Sequence, residues 1–484
     1  MQSAYTSGYK PGKYKKLFKN ILLISYFYAC KNANYMEQEE SRTTQLETAP
    51  IGKLLWQYAL PAIISMSVGA LYNIIDRIFI GQALNPMAIS GMTLTLPIHM
   101  IIVAIGTLVG VGASTRISIV LGMKNPEWAK HILGNAVFLT FILSVILTIA
   151  SLIYLDEILV LFGGSEKTIP YARDFLNIVI PGSIFSNLTY NFTSIMRATG
   201  YPLKSMRILV SGVIINTILA PIFIFWLDMG VQGGAIATVI SMFVGFILVS
   251  IHFLSPKTEI RLSFPYLVPA WKIIMNIVSI GLSPFLMHLA TSLVILVFNH
   301  NLKKHGGDLA IGAYGIVNSY ATFIVMCVMG FTQGMQPIVG YNFGAGKIKR
   351  IKDTLIKTIR LTVIVTTIGF IGAELFPRQI AFAFTKNPEF ADIIAKGLKI
   401  NLCTFFIVGY QIAISSFFLS IGKTGVSIFM SLSRQLIFLL PLLYLLSSIW
   451  GLDGIWMAGA VSDILAALVA TLFLIRQRNI FYKR

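Results

Sequence analysis

A single carboxylate, Asp76, ends a long uncharged stretch of the chain. The segment from Leu54 to Ile75 contains no Asp, Glu, Lys or Arg, and Asp76 follows it in LYNIIDRIFIGQ. A carboxylate beside hydrocarbon is unfavourable, so Asp76 could take up a proton on one side of a membrane and release it on the other, or bind Na⁺. Tyr72 and Asn73 share its helical face and are candidate substrate-cavity residues. The plainer alternative makes Asp76 a helix-end residue at the lipid headgroups.

Arg434 and Asp463 are the clearest charges deep inside apolar segments. Each lies about ten residues from the end of its segment, or about 15 Å along a helix. Their depths match, so the two side chains can pair. The pair is either a structural ion pair or a coupling group that exchanges partners when the protein changes conformation.

Polar and soft side chains also occur inside the apolar segments. They could line a cavity that repacks around different substrates, although such residues often only bond one helix to another. His288 could titrate or simply pack between helices. The candidates are Tyr190, Asn191, Met287, His288, Asn318 and Gln411.

The composition of the chain indicates which kind of structure holds these side chains. The chain has 484 residues, of which 56% are hydrophobic and 12% charged, whereas soluble domains carry about 25% charged residues. We therefore predict an all-α integral membrane protein. The net charge of +19 resides in short clusters between apolar runs, without a basic, aromatic-rich domain, so no nucleic-acid partner is expected. Cys30, Cys327 and Cys403 are too widely spaced for a disulfide framework or a CxxC metal site.

Twelve runs are long and apolar enough to cross a bilayer core of about 30 Å as helices. They start near Leu54, Ser90, Ile132, Phe175, Ile208, Val231, Ile273, Leu309, Leu361, Ile400, Val426 and Gly454. One set of alternating loops and tail carries 19 Lys and Arg residues and the other set 9, which predicts that both termini are cytoplasmic.

The chain is also duplicated. AISGM at residues 88–92 resembles AIGAY 222 positions later, and Gly122 and Gly344 are separated by the same interval. Each half has six spans, so both halves insert in the same orientation. The predicted fold is twelve transmembrane helices in two pseudo-symmetric six-helix bundles, a parallel repeat with the substrate site between the halves.

These spans divide the sequence into five parts. Residues 1–50 form a polar and basic extension, either disordered or a mispredicted start before Met36, with a short interfacial helix as a further alternative. The other parts are an N-terminal bundle at 51–254, a cytoplasmic linker at 255–272, a C-terminal bundle at 273–476 and a basic tail at 477–484.

Several stretches together resemble the multidrug and toxic compound extrusion (MATE) family, in its bacterial multidrug-efflux branch. They are LPAIISMSVGALYNIIDRIFIG, GMQPIVGYNFGAGK, NTILAPIFIFWLDMGVQGGAIAT and PFLMHLATSL. The resemblance covers nearly everything after Gly52. It implies two bundles around a central cavity, and export of amphipathic, often cationic, drugs in exchange for Na⁺ or H⁺.

The resemblance also assigns coupling residues. Asp76 matches the family's first-helix carboxylate, and Asn216 and Thr238 match two polar partners on the fifth and sixth helices. A second family aspartate corresponds to Ala220 here, and a seventh-helix glutamate of another branch corresponds to Ser292. With one carboxylate left in this half, H⁺ is favoured over Na⁺ as the coupling ion.

The sequence therefore predicts a transporter of the cell membrane, expected to be a monomer in the lipid bilayer, without enzyme activity, cofactor or bound metal. The alternatives are a lipid-linked precursor flippase of a related plan, which would need a wide basic cavity, and a membrane-embedded transferase, which would need a clustered acid, histidine or DxD motif. No Walker motif is present, so ATP is not the expected energy source.

Overall fold

The computed structural model describes residues 43–83, 91–92, 94–162, 164–256, 258–385 and 387–481. Side chains are described throughout these ranges except at residues 70–83 and 308. Every regular element within them is helical.

Long helices form because the apolar runs can close their backbone hydrogen bonds only within a helix. Among the described residues, eight helices, or nine with one bent pair, are long and apolar enough to cross a membrane. Ile51–Ala83 and Ile169–Ala198 also have the length of a span, and division of Thr424–Arg476 at Gly451 brings the described helices of this length to the predicted twelve. In chain order, α1 to α6 are Ile51–Ala83, Leu96–Gly122, Pro126–Ile153, Ile169–Ala198, Pro202–Trp226 and Gly230–Leu254. α7 to α9 are Trp271–Gly307, Leu309–Gly344 and Ile348–Leu375, and α10 joins Pro388–Leu402 to Phe405–Ser420 across a 47° bend. The segment Thr424–Arg476 is divided at Gly451 into α11 (424–450) and α12 (452–476).

Gly307 and Gly451 each interrupt a long helical stretch in the C-terminal half. Their φ angles of 66° and 57° lie in the left-handed region, which glycine adopts without a steric penalty. Gly307 separates α7 from α8 and Gly451 separates α11 from α12. Each helical pair is thereby turned back within a few residues.

The fifth helix of each half contains a π-helical turn beside a proline. In α5 the turn Ile222–Trp226 follows Pro221, and in α11 the turn Ser433–Leu439 precedes Pro441. Proline removes a backbone donor, so the local hydrogen-bond pattern must widen or break there. The two turns lie on opposite sides of the prolines, which are 220 positions apart, and the turn in α11 contains Arg434.

α2 and α8 pack against each other through reciprocal glycine contacts. A Cβ on Gly122 would lie 1.9 Å from the carbonyl oxygen of Tyr341, and a Cβ on Gly344 would lie 1.9 Å from that of Ile119. Residues 119 and 341 are 222 positions apart, as are 122 and 344. Since the last turns of both helices meet, the helices run in the same direction and the duplication is parallel.

We call the end of the molecule at Gly122 and Gly344 the basic end, because the loops with most Lys and Arg follow the helices there. One hydrophobic core joins both halves at this end and includes Leu54, Val109, Ile277 and Met335. Toward the opposite end the described core residues form separate clusters. Two contain only residues of the first half, and two contain only residues of the second. The halves are thus packed together at the basic end and have independent cores at the other.

A short helix at residues 43–48 precedes α1, inside the predicted N-terminal extension. Leu46 is completely buried, and its carbonyl oxygen accepts hydrogen bonds from Asn342 Nδ2 (2.9 Å) and Arg350 Nη2 (3.1 Å). Lys347 Nζ lies 2.6 Å from Glu47 Oε1. This part of the extension is therefore ordered against the second half, whereas residues 1–42 lie outside the described residues.

Candidate coupling and substrate sites

Asn216 and Thr238 meet between α5 and α6. Asn216 Nδ2 donates to Thr238 Oγ1 at 3.2 Å, and Thr238 Oγ1 donates to the Gly234 carbonyl at 2.9 Å. Both side chains are buried. Ala220, one turn beyond Asn216, is completely buried and provides no oxygen ligand.

The bond orientation at Asn216 has a chemical consequence. Its amide nitrogen is the donor to Thr238, so its carbonyl oxygen has no hydrogen bond from a described residue. An amide oxygen in this position can accept a hydrogen bond from a protonated carboxyl group or coordinate Na⁺. Asp76, Tyr72 and Asn73 lie in α1 outside the residues whose side chains the structure describes.

Arg434 and Asp463 form an ion pair in the second half. Arg434 Nε donates to Asp463 Oδ1 at 2.7 Å, linking α11 to α12. The Asp463 side chain is 6% exposed and that of Arg434 28%. The predicted partners are therefore in contact, and Arg434 lies within the π-helical turn of α11.

Two predicted cavity residues form hydrogen bonds between helices. Asn191 is completely buried and its Nδ2 donates to Thr140 Oγ1 at 2.8 Å, from α4 to α3. Gln411 is also buried, and its Nε2 donates to the Met430 carbonyl at 3.3 Å, from α10 to α11. These contacts correspond to the alternative that the sequence left open for both residues.

The other predicted cavity residues are placed differently. Met287 and His288 are partly buried on α7, and Asn318 is exposed on α8. Ser292, at the position of the family's glutamate, donates to the His288 carbonyl of its own helix. Of the six predicted residues with described side chains, Tyr190 lines a cavity between the halves.

That cavity has a volume of about 20 Å³ at the basic end. α2 and α4 form one side of it and α8 of the other half closes it. Sequence reasoning placed Arg197 among the loop cations, but the structure puts it in the last turn of α4, lining this cavity. It missed Gln333 and Gln336 as well, although both occur in or beside the quoted GMQPIVG stretch. Only the packing of α2, α4 and α8 brings these residues together.

The sequence matches the model of a known protein family in both halves. The family model described as MatE matches residues 61–222 and 279–445, one segment in each half. The chain belongs to the MatE family. The two matched segments correspond to the two repeats, and members of this family are membrane transporters rather than enzymes.

Curated relatives and solved structures are similar to this protein over most of its length. The "Multidrug export protein MepA" of Staphylococcus aureus (strain MSSA476) is 27% identical over 434 residues, covering 89% of this chain and 96% of that protein. MepA of Staphylococcus haemolyticus (strain JCSC1435) is 28% identical over 433 residues, covering 90% and 95%. The structure described as "Crystal structure of MATE in the bent conformation" has a TM-score of 0.86 at 23% identity, covering 90% of this chain and 98% of that one. This last likeness concerns the fold.

Proposed function

We propose that this MatE protein is a secondary active exporter that exchanges amphipathic, often cationic, drugs for a cation. Family membership and the name multidrug export protein of its relatives support the substrate class. The observation that carries the proposal is the distribution of the core. Two halves that share a core at one end and have separate cores at the other can rock about the shared end.

We place the protein in the cell membrane with both termini and the basic end in the cytoplasm. The excess of Lys and Arg in the loops of that end supports this orientation. The described conformation then corresponds to the outward-facing state, with the cytoplasmic end closed. Export requires a second state in which the contacts between α2 and α8 separate.

The coupling ion acts through Asp76 with Asn216 and Thr238. Proton binding to Asp76 makes its carboxyl group a hydrogen-bond donor. The amide oxygen of Asn216, which accepts no hydrogen bond from a described residue, can accept that bond. H⁺ is favoured because Ala220 supplies no second carboxylate, whereas Na⁺ requires several oxygen ligands. Occupancy of this cluster would then shift the balance between the two states.

An ion gradient supplies enough free energy for such export. One charge moving inward at 100 mV contributes about 2.3 kcal/mol. A tenfold pH difference contributes about 1.4 kcal/mol more per proton. Together these support roughly several-hundred-fold accumulation of a neutral substrate per proton. Exchange of one proton for one monovalent cationic drug moves no net charge, so the pH difference alone drives it and supports about tenfold accumulation.

The test is efflux of a fluorescent cationic dye from proteoliposomes under separately imposed H⁺ and Na⁺ gradients. Asp76→Asn should abolish gradient-driven transport while the wild type responds to the H⁺ gradient. Asp156→Asn is the matched control, because Asp156 is an exposed carboxylate paired with Arg173. Full gradient-driven activity of Asp76→Asn would refute the coupling role, and wild-type transport driven by Na⁺ alone would refute the choice of H⁺.

A further inference from the structure

Arg197 has an unusual electrostatic environment for an arginine inside a helical bundle. Its Nη2 donates to Ser194 Oγ at 3.0 Å and its Nη1 to Ser205 Oγ at 3.3 Å. Both partners are neutral. Six ion pairs occur among the side chains that the structure describes, and none involves Arg197. A charge enclosed by protein normally has a partner of opposite sign, because desolvation disfavours an isolated ion.

The cavity beside Arg197 presents hydrogen-bond donors and no negative charge. Thr115 and Ser118 of α2 contribute hydroxyl groups, and Gln333 and Gln336 of α8 contribute amides. Thr115 and the two amides can donate to an anion, whereas the hydroxyl hydrogen of Ser118 is donated to the Ser114 carbonyl at 2.9 Å. None of them, nor the remaining cavity residues, supplies a carboxylate that could neutralise the guanidinium.

Thr115 provides a second, independent indication of a ligand. Its side chain is 2% exposed, and its Oγ1 has no hydrogen-bond partner in the described part of the protein. Thr115 Oγ1 is one of four such buried side-chain atoms among the described residues, and a bound water or ion is one explanation for an atom of this kind. Thr115 lines the same cavity as Arg197.

The volume of the cavity limits the size of the occupant. A water molecule needs about 10–15 Å³ measured in this way, so about 20 Å³ accepts one small ion and excludes a drug or a phosphate group. We propose that the cavity binds a chloride-sized monovalent anion, which neutralises Arg197 and accepts hydrogen bonds from Thr115 and the glutamine amides.

The site is shared between the two halves. Arg197 and Thr115 belong to the first half, and Gln333 and Gln336 to the second. The site is complete only while the halves are packed at the basic end, so the anion stabilises that state. This conformational consequence rests on the proposed rocking motion, whereas anion binding itself does not.

The binding test measures the melting temperature of the purified full-length protein while chloride replaces gluconate at constant ionic strength. Chloride should raise Tm saturably, by about 2 °C or more, because a ligand that binds only the folded state stabilises it. Arg197→Gln should remove the effect. Arg173→Gln, which alters an exposed arginine at the other end of the bundle, should retain it. Thr115→Val and Gln336→Leu test the same site if Arg197→Gln does not fold, and each should weaken the chloride effect.

The proposal is overturned if chloride has no saturable effect on the wild type, or if the site variants respond to it as the wild type does. Stabilisation by acetate equal to that by chloride would overturn the restriction to a chloride-sized ion. Diffraction from crystals soaked in bromide should show anomalous scattering beside Arg197.

The conformational consequence has its own measurement. Spin labels at Lys124→Cys and Lys349→Cys, with Cys30, Cys327 and Cys403 replaced by serine, report the separation of the halves at the basic end. Chloride should shift their distance distribution toward the shorter distance. An unchanged distribution in a protein that binds chloride would refute the stabilisation of the closed state and leave both anion binding and drug transport standing.

Discussion

Charged and polar side chains inside the helical bundles of this protein differ in the partners that they contact. Asp463 is paired directly with Arg434, whereas Arg197 has only hydroxyl partners among the described residues. Asn216 donates to Thr238, and the Asn216 amide oxygen accepts no hydrogen bond from a described residue. These environments differ in whether the polar group already has a partner of opposite charge among the described residues.

Replacement of Asp463 by asparagine distinguishes the two interpretations of its pair with Arg434. If the pair is structural, Asp463→Asn leaves an uncompensated cation and should destabilise the protein by about 2 kcal/mol, less than for a fully buried pair because Arg434 is partly exposed. The double variant with Arg434→Gln should recover most of the loss in Tm. Unchanged stability together with abolished gradient-driven transport would instead assign the pair to coupling.

The short helix at residues 43–48 is the element whose position was least expected. Arg350 Nη2 donates to the carbonyls of Leu46 and Ala49, so a cation neutralises the C-terminal end of this helix. The helix precedes α1 of the first half but contacts α8 and α9 of the second. It thus adds contacts between the halves at the basic end.

Glu47 makes the docking of this helix sensitive to pH. The hydrogen bond from Lys347 lowers the pKa of Glu47 below its ordinary value of 4.5. The ionised form therefore contributes stability above the ordinary pKa, and this contribution is lost as the pH falls through the lowered pKa.

Glu47→Gln should accordingly lower Tm slightly at pH 7. The loss in the free energy of unfolding should be less than about 1 kcal/mol, because Lys347 is partly exposed. The difference from wild type should shrink below pH 4.5. Thermal unfolding between pH 3.5 and 7.5 measures it, with Glu157→Gln as an exposed control. A difference that persists at the lowest pH would contradict an electrostatic origin.

At the scale of the whole molecule, the reciprocal contact of α2 with α8 decides how closely the halves approach. Any side chain at Gly122 or Gly344 would overlap a backbone carbonyl of the opposite half. A backbone atom cannot move aside as a flexible side chain can. The closed basic end therefore depends on both glycines, and pseudo-symmetry makes their contributions equivalent.

Overpacking costs about 1–3 kcal/mol or more, so Gly122→Ala and Gly344→Ala should each reduce transport at least about tenfold. Each variant should also lengthen the distance between spin labels at Lys124 and Lys349. Gly425→Ala is the matched control, because a Cβ there meets nothing within 4 Å. Normal transport by both alanine variants, or a strong effect at only one, would contradict a symmetric closing contact.

The sequence by itself determined the class, the number of spans and the duplication. Hydropathy over about 20 residues and matches at an interval of 222 positions are properties of the chain that do not depend on how the helices pack. Charge and depth also predicted the contact between Arg434 and Asp463. The orientation in the membrane remains a prediction from the loop charges.

Only the tertiary structure decided which polar residues face a neighbouring helix and which face a cavity. Asn191 and Tyr190 are adjacent in the sequence, yet Asn191 bonds to Thr140 while Tyr190 lines the cavity. Arg197 and Gln336 come from different halves of the chain, and they meet because α2, α4 and α8 pack together at one end. Their chemistry depends on contacts between distant segments, because the desolvation of a charge and the pairing of a hydroxyl are set by neighbours that a local sequence pattern does not contain.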